Sequence, residues 1–428
     1  MRVSDEQELS AAIAGAAGPL QIVGGGTRWL ARPALLGRAS LDGVSDQLEL
    51  GGLSGITLYE PGALTMVAQA GTPVAEVAAA LAAEGQCLPF EPNFAAAGVS
   101  TIGGVMATNA SGPRRVMVGA ARDFCLGVRF VDGMGQVIKN GGRVMKNVTG
   151  YDLVKLLAGS WGTLGAISEV SFKVLPQPET ECSLRLDGSA TGGSAEGPAI
   201  AAMAAALGSP FEVSGAAHGA VSDTQAATYV RVEGFEASVK YRAGKLADLL
   251  APYGPVEVID NAEASRAIWQ AIRDLDPFRE KAYVARASIK PSDFTALQAA
   301  LAGRFGMQGG KPAGCDMMLD WGGGLVWIAA DAAALAENAA PGGSDDDLAV
   351  QGGQVLHEFL QQHLSGGRGH ATLTRAPAGL LGRVAIFQPE APGVAALTRG
   401  LRAKFDPRGL FNPDLNSGVS PAKMEPIG

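Results

Sequence analysis

Short apolar runs and longer Ala-rich segments alternate along the first ninety residues of the chain. Residues 4–16 carry acids near their start, which predicts a short helix capped by Ser4. The apolar run at 19–23 predicts a strand, and residues 73–84 predict an Ala-rich helix with Pro73 at an early position. Because strands and helices alternate along this segment, the pattern predicts an α+β or α/β unit.

Between about 88 and 118 the chain consists of Gly, Pro and other small residues with little apolar period. A long irregular stretch inside a compact domain is more often functional than decorative, so we expect a functional loop here. Regular patterns then resume with a pair of strands joined through Asp132 and Gly133, a dipeptide typical of a hairpin turn. A helix in "GYDLVKLLAGS" and a strand in "GAISEVSFKVLP" are expected to follow.

Near residue 178 the pattern changes to Gly/Ala/Ser-rich segments that alternate with strand-like and helical pieces. These pieces predict a second α+β domain. A last helix is expected to end at Asp406, because Pro407 blocks its continuation. We therefore expect a first domain over 1–178, a second over 179–395, and a C-terminal tail over 396–428.

Composition narrows the class of protein. A chain of 428 residues is long enough for two or three domains. The net charge of −8 argues against a nucleic-acid partner, which rewards clustered Lys and Arg. No run of 18 apolar residues occurs, and the first residues lack the features of a signal peptide, so we expect a cytoplasmic protein. The four cysteines are scattered without a C-x-x-C pair, which argues against an iron–sulfur cluster or a metal site in this chain.

The segment "VGGGTRW" is a candidate phosphate loop. Glycines let the backbone approach a ligand closely, and successive N–H groups form an anion-binding concavity. Thr27 adds a hydroxyl donor and Arg28 adds a positive charge. An ordinary glycine-rich turn explains these residues equally well, since short glycine patterns occur often by chance.

Two further segments contain many potential backbone donors. Residues 98–115 concentrate glycines, hydroxyl groups and the Asn109 amide before two arginines, although a solvated loop is the alternative. Residues 155–176 predict a helix, a glycine turn and a strand. These could place the backbone of Gly165 and Ile167 against the edge of a ligand's aromatic ring. That connection is common, and by itself it indicates little.

Four segments in this order resemble the motifs of the flavin-binding family typified by vanillyl-alcohol oxidase, the PCMH-type flavoproteins: "GGGTR", "STIGGVMATNASGPRR", "GYDLVKLLAGSWGTLGAISEVSFKVLP" and "FDPRGLFNP". Within that family, "VMKNVTGYDL", "MLDWGGGLVWI" and "GRGHAT" resemble the FAD-binding E subunits of bacterial glycolate oxidases. The resemblance implies an α+β fold, with a two-lobed PCMH-type FAD-binding domain, a smaller α+β cap domain and a tail that returns to the FAD domain.

The resemblance also implies a set of cofactor-binding residues. Gly24, Gly25, Gly26 and Thr27 would cradle the FAD pyrophosphate with Arg28 beside it, Ile167 would meet the adenine, and Asn412 could approach the flavin ring. The other residues expected to bind FAD are Pro92, Thr101, Ile102, Gly103, Gly104, Ala107, Thr108, Asn109, Gly112 and Gly165. Members with covalent flavin place a His just after the glycine run, where this chain has Thr27 and Arg28, so we expect non-covalent FAD.

Catalytic residues are less well indicated. Related hydroxyacid dehydrogenases resemble one another in an H-x-G-D-G-N-x-H segment and a later E-H-G, and neither occurs in this chain. Oxidation of a 2-hydroxy acid needs a base for the hydroxyl proton and a cation for the carboxylate, and "GRGHATLTR" offers His370 and Arg375. The alternative is that His370 is a structural or interface residue. His357 and His363 are expected at the surface of a helix.

The resemblance implies the FAD-binding subunit of a glycolate oxidase complex, which oxidises glycolate to glyoxylate and passes electrons to a separate iron–sulfur subunit. The expected partners are that subunit and a sister FAD subunit, where substrate oxidation would take place. The complex could attach peripherally to the inner face of the cytoplasmic membrane. Two alternatives stay open: a free-standing FAD-dependent oxidoreductase of 2-hydroxy acids or alcohols, and a non-catalytic scaffold with structural FAD.

Overall fold

The computed structural model describes residues 1–27, 46–93, 99–143, 150–187, 196–221, 225–337, 339, 342, 344–377, 379–381 and 383–415. Arg28 of the glycine-rich segment lies outside these residues. Among the helices of the described ranges, none is both long and apolar enough to cross a membrane.

The described helices follow one another along the whole chain. They are α1 (Glu6–Ala14), α2 (Val74–Ala83), α3 (Ile102–Thr108), α4 (Arg115–Val118), α5 (Ala121–Phe124), α6 (Leu153–Leu157), α7 (Glu196–Leu207), α8 (Glu236–Leu250), α9 (Ala262–Asp274), α10 (Phe294–Phe305), α11 (Ala332–Glu337), α12 (Asp345–Leu364) and α13 (Pro392–Phe405).

The described strands are interspersed with these helices. They are β1 (Leu20–Val23), β2 (Asp46–Glu49), β3 (Ile56–Glu60), β4 (Thr65–Gln69), β5 (Gln86–Cys87), β6 (Cys125–Val131), β7 (Val137–Gly141), β8 (Ala166–Lys173), β9 (Leu175–Pro176), β10 (Thr180–Asp187), β11 (Gly215–Gly219), β12 (Ala227–Gly234), β13 (Val256–Ile259), β14 (Tyr283–Ile289), β15 (Met307–Gln308), β16 (Lys311–Pro312), β17 (Asp316–Asp320), β18 (Leu325–Ala330) and β19 (Gly369–Arg375).

The chain divides into two compact units. Unit 1 comprises the described residues of Met1–Gly112, Gly119–Gln177 and Glu390–Gly428. Unit 2 comprises those of Pro113–Val118 and Pro178–Pro389. Each unit combines antiparallel strands with helices, and the predicted α+β class is confirmed.

Unit 1 contains a five-stranded antiparallel sheet in the order β3-β4-β8-β6-β7 and a parallel pair, β1 and β2. The hairpin predicted at Asp132 is present as β6 and β7, which pair in antiparallel register. The chain end also reaches this unit, because the Leu20 N–H of β1 donates to the Leu410 carbonyl oxygen at 2.7 Å. An apolar cluster that includes Leu20, Ile22 and Phe411 packs β1 against this segment.

Two local predictions in unit 1 were wrong. The first helix is capped by Asp5, whose side chain accepts hydrogen bonds from the N–H groups of Gln7 and Glu8, rather than by Ser4. The stretch expected to be irregular contains α3, which begins after Thr101. Thr101 caps it by accepting from the Gly104 N–H, and such an N-cap stabilises a helix that apolar spacing does not reveal.

Unit 2 is built on an eight-stranded antiparallel sheet in the order β13-β10-β12-β11-β17-β18-β14-β19. Helix α12 is amphipathic, and its buried residues include Leu356, His357 and Leu360. The Tyr283 hydroxyl of β14 bonds His357 on this helix at 2.9 Å. On the other face of β14, Val284 joins an apolar cluster with Trp269 of α9.

Candidate functional site

A pocket in unit 1 is formed by segments that are far apart in the sequence. It lies where the loop after β1, helix α3 and the loop before β8 meet. Its lining residues are Ile22, Gly24, Gly25, Gly26, Thr27, Leu50, Ala70, Thr101, Gly103, Gly104, Ala107, Thr108, Trp161, Gly162, Gly165 and Ile167. The three glycine-rich segments singled out in the sequence are therefore neighbours in the fold.

The loop after β1 presents backbone to the pocket. A Cβ atom at Gly24 would lie 2.4 Å from the Thr101 hydroxyl oxygen, and one at Gly25 would lie 1.5 Å from the Val99 carbonyl oxygen. Gly26 has a positive φ of 61°, which favours glycine. Glycine at these positions therefore lets the loop pack directly on residues 99–101 while its backbone lines the pocket, and a loop of this kind suits the pyrophosphate of a dinucleotide cofactor.

Helix α3 forms a second wall of the pocket, lined mainly by small residues. The N–H groups of Ile102 and Gly103 donate to the carbonyl oxygens of Thr72 and Ala70 at 2.9 and 2.8 Å, so the protein already uses them. The Thr108 hydroxyl donates to the Gly104 carbonyl oxygen at 2.8 Å. The helix therefore offers the pocket the small surfaces of its glycines and of Ala107 more than hydrogen-bond donors.

The loop before β8 forms the third wall. The Trp161 N–H donates to the Ala107 carbonyl oxygen at 2.8 Å, which fastens this loop to α3. Trp161 has a φ of 55°, an unusual value for a bulky residue, and Gly162 follows at 70°. A non-glycine residue held in this conformation indicates that the surrounding contacts fix the loop.

Asn412 braces two walls of the pocket without lining it. Its side-chain oxygen accepts from the Ile22 N–H at 2.8 Å, and its amide nitrogen donates to the Trp161 carbonyl oxygen at 2.8 Å. The residue is buried, and a Cβ at Gly162 would lie 2.9 Å from its amide nitrogen. Both polar groups of this side chain are thus committed to the backbone of pocket residues.

The pocket contains many of the residues expected to bind FAD. Those that line it are Gly24, Gly25, Gly26, Thr27, Thr101, Gly103, Gly104, Ala107, Thr108, Gly165 and Ile167. Ile102 is in the core instead, and Asn109 ends α3 and accepts from the Arg122 N–H at 2.9 Å. The Gly112 N–H donates to the Phe90 carbonyl oxygen at 2.9 Å, and Pro92 is buried. The binding roles of all these residues stay predictions.

Five lining residues were missed at the sequence level: Ile22, Leu50, Ala70, Trp161 and Gly162. Trp161 and Gly162 belong to the motif "GYDLVKLLAGSWGTLGAISEVSFKVLP", so their proximity in sequence to Gly165 was the available clue. The three aliphatic residues resemble ordinary core positions in sequence, and only the fold shows that they border a pocket.

The candidate catalytic residues lie in unit 2, on β19. Arg375 uses one terminal nitrogen, Nη1, for three backbone carbonyl oxygens, those of Phe278, Arg279 and Lys281, at 2.5, 2.8 and 3.2 Å. These hydrogen bonds hold residues 278–281 against β19. Desolvation lowers the pKa of His370, and the positive charge of Arg286 acts in the same direction. Catalytic roles for His370 and Arg375 stay predictions.

His357 corrects another expectation, because it is fully buried and not at the surface. Its Nδ1 is 2.9 Å from the Tyr283 hydroxyl, and its Nε2 is 3.0 Å from the Ala385 carbonyl oxygen. A carbonyl only accepts, so Nε2 carries the proton and Nδ1 accepts from Tyr283. Burial lowers the pKa of His357 to about 4.

Comparisons with known proteins agree with this geometry. Residues 1–141 match the family model for an FAD binding domain. The chain is 32% identical to glycolate oxidase subunit GlcE of Escherichia coli (strain K12) over 361 residues, covering 84% of this chain and 83% of that protein. It is 37% identical to glycolate oxidase subunit GlcD of Bacillus subtilis (strain 168) over 121 residues, or 28% and 25% of the two chains.

The fold is similar to that of p-cresol methylhydroxylase in its substrate-bound crystal structure. The TM-score is 0.70, with 11% sequence identity, and the match covers 99% of this chain and 89% of that chain. The two-lobed PCMH-type architecture expected from the motifs is confirmed at the level of the fold. With GlcE matched over most of its length, the chain belongs to the family of FAD-binding glycolate oxidase E subunits among the PCMH-type flavoproteins.

Proposed function

We propose that this chain is the FAD-binding subunit of a glycolate oxidase complex, in which glycolate is oxidised to glyoxylate. The observation that carries the proposal is the glycine-walled pocket of unit 1, in a chain that matches GlcE over 83% of that protein's length. When bound, FAD would supply a two-electron acceptor. The residues that line the pocket would hold the cofactor.

The backbone of Gly24, Gly25, Gly26 and Thr27 is proposed to hold the pyrophosphate, with Arg28 beside it. This assignment is supported by α3, whose first N–H groups are already bonded to Thr72 and Ala70. The loop after β1 brings its backbone to the pocket and is the segment we assign to the phosphate. The small surfaces of Gly103, Gly104 and Ala107 suit a close approach of the cofactor, and Ile167 is proposed to meet the adenine through its backbone.

FAD is proposed to bind without a covalent link. Among the described residues that line the pocket, none is a His, Cys or Tyr, the side chains that could form such a bond. Acid precipitation of the purified protein should therefore release yellow flavin into the supernatant. Flavin that stays with the pellet would contradict this assignment.

The relatedness to GlcE and GlcD implies a multi-subunit complex. We propose an iron–sulfur subunit as the acceptor of electrons and a sister FAD subunit as the place of substrate oxidation. The cysteines fit this division, because the four are scattered along the sequence without a C-x-x-C pair, the spacing typical of iron–sulfur ligands.

The complex is proposed to be cytoplasmic and to contact the inner face of the cytoplasmic membrane peripherally. Affinity purification of the chain from its native host, with spectra for flavin and iron, tests the subunit assignment. We expect a second flavin subunit and an iron–sulfur subunit to co-purify. Recovery of a lone chain that oxidises glycolate with an artificial acceptor would overturn it, as would a colourless chain that still assembles.

A further inference from the structure

Helix α13 exposes a row of aliphatic side chains to solvent. Val394, Leu397 and Leu401 are 52%, 71% and 39% exposed. Their spacing of three and four residues places them on one face of the helix. Lys404, three residues after Leu401, continues this face and is exposed as well. These four residues are called the α13 stripe below.

A different face of α13 attaches the helix to unit 1. Ala395, Thr398, Arg402 and Phe405 follow the same helical spacing, and each is half-buried. The Phe405 ring lies 6.0 Å from the ring of Phe130 in β6, measured between centroids. None of the residues of α13 is fully buried. The helix is therefore held along one side, and the α13 stripe is left to the solvent.

The charges carried by α13 are all positive. The helix contains Arg399, Arg402 and Lys404 and no acid, although the net charge of the chain is −8. Glu390, which precedes the helix, accepts from the Thr398 hydroxyl at 2.9 Å and so lies toward the attached face. At physiological ionic strength, exposed charges more than about 8 Å apart are largely screened from each other. The cations of the helix itself therefore decide which charged surface can approach the stripe.

Helix α8 shows that this combination is not a general feature of exposed helices in the chain. It has 15 residues, and its Leu249 is 38% exposed, much like Leu401 of α13. However, α8 carries acids as well as cations, and Asp248 directly precedes Leu249. An exposed leucine on α8 thus lies in a mixed electrostatic environment, whereas the α13 stripe lies in a positive one.

An aliphatic stripe on a positively charged helix fits an anionic lipid surface. Such helices lie in the plane of the membrane interface, with their apolar face among the acyl chains and their cations near the headgroups. The stem of Lys404 can extend along the apolar side chains while its ammonium group reaches the phosphates. A single helix of 14 residues offers little area for a stable protein–protein interface, which buries about 800 Å² on each partner.

We propose that α13 binds an anionic lipid bilayer. Val394, Leu397 and Leu401 lie among the outer segments of the acyl chains, Lys404 lies at the level of the phosphate groups, and Arg399 adds to the local positive charge. This inference rests on the proposed function in one respect, the peripheral contact with the membrane. It assigns that contact to a helix of this chain, so that the partner subunits are not needed for it.

Co-sedimentation of the purified, FAD-loaded full chain with lipid vesicles tests the proposal. The vesicles consist of phosphatidylcholine alone or of phosphatidylcholine mixed with phosphatidylglycerol. We expect the wild type to bind the mixed vesicles and to bind the neutral ones several-fold more weakly. Lys404→Gln should weaken binding to the mixed vesicles by about fivefold, and high salt should reduce this difference.

The aliphatic contribution is tested by Leu397→Gln, which leaves the charge of the helix unchanged. We expect it to weaken vesicle binding by about tenfold, because a leucine side chain no longer leaves water. Leu249→Gln on α8 is the matched control and should bind vesicles as the wild type does. Circular dichroism verifies folding, and Val394→Gln repeats the test at another exposed position if Leu397→Gln does not fold.

Three results would overturn the proposal: a wild type that does not sediment with the mixed vesicles, equal losses in the α13 and α8 variants, and a Leu397→Gln variant that binds vesicles normally but no longer retains partner subunits. The last result would assign the stripe to a partner subunit. Failure of the subunits to co-purify with a wild type that still binds vesicles would contradict the proposed function and leave the lipid site standing.

Discussion

At the scale of single residues, Asn412 shows how a residue can matter for a cofactor without touching it. Its two polar atoms bond the Ile22 N–H and the Trp161 carbonyl oxygen, which belong to two walls of the pocket. Removing the side chain leaves both backbone groups without partners, which costs about 1–3 kcal/mol for each buried group. We expect the unpaired backbone groups to loosen the two pocket walls, so that part of this free energy is lost from FAD binding.

We therefore predict that Asn412→Ala weakens FAD binding by roughly tenfold, a change of about 1.4 kcal/mol. Fluorescence titration of the flavin-free protein with FAD measures this effect. Asn140→Ala is the matched control, because Asn140 also bonds backbone on both sides, at Tyr151 and Leu153, but does not bond a pocket residue. Equal losses in the two variants would show that Asn412 acts only through general stability.

The sequence predicted Asn412 near the cofactor but not its bracing role. Motif resemblance points to a residue, whereas a hydrogen bond across 390 positions, such as that from Ile22 to Asn412, exists only once the chain has folded. His357 makes the same point in the opposite direction. It was expected at the surface of a helix, and packing against Tyr283 buries it.

At the scale of elements, local patterns were reliable where local chemistry decides the structure. The Asp132 turn and the Pro73 helix start follow from backbone preferences of neighbouring residues, and both are present. Helix α3 was missed because Gly103 and Gly104 disfavour a helix in isolation. Its close packing on Ala70 is a tertiary contact, and this contact leaves no room for a side chain at Gly103.

Because of this packing, we expect a change from glycine to alanine at position 103 to destabilise the protein, whereas the same change in a helix usually stabilises it. Ala stabilises a helix interior by up to about 1 kcal/mol relative to Gly. In Gly103→Ala, however, the new Cβ would lie 2.5 Å from that of Ala70, and such overpacking costs about 1–3 kcal/mol. We expect net destabilisation, measured by urea unfolding, and weaker FAD binding.

Gly244→Ala provides the control for that change. Gly244 lies inside α8, and apart from the backbone of its own helix and its chain neighbours, no atom of the described residues lies within 4 Å of the position its Cβ would take. This variant should be unchanged or slightly more stable, by at most about 1 kcal/mol. Shifts of the same sign and size in both variants would refute the packing argument for α3.

At the scale of the whole molecule, the order of segments along the chain does not follow their division into units. Residues 113–118 belong to unit 2 although the residues on both sides of them belong to unit 1. Arg114, in this short segment, forms a buried ion pair with Glu233. The segment "GPRR", residues 112–115, is therefore divided between the units: Gly112 belongs to unit 1, and Arg114 belongs to unit 2, where it pairs with Glu233. Composition and periodicity do not predict this division.

Acid lowers the stability of the whole molecule through two buried histidines, which lie on separate elements of unit 2. His218 of β11 bonds the Thr228 hydroxyl at 2.9 Å, and His357 bonds Tyr283. Burial lowers the pKa of each from 6.5 to about 4. Between these values the unfolded chain binds more protons than the folded chain, so the free energy of unfolding falls as the pH falls.

We predict that the urea midpoint of the protein drops when the pH is lowered from about 6.5 toward 5, with each histidine able to contribute up to about 3 kcal/mol by pH 4. The double variant His218→Asn, His357→Gln should be less stable at neutral pH and have a flatter pH profile. His363→Gln, at a more exposed position of α12, is the comparison: burial also lowers the pKa of His363, but only His218 and His357 are almost fully buried, so this variant should flatten the slope less than the double variant. Differences between variants also remove the contribution of Glu181, whose pKa is raised by burial. A double variant with the full wild-type slope would show that carboxylates, and not these histidines, set the acid sensitivity.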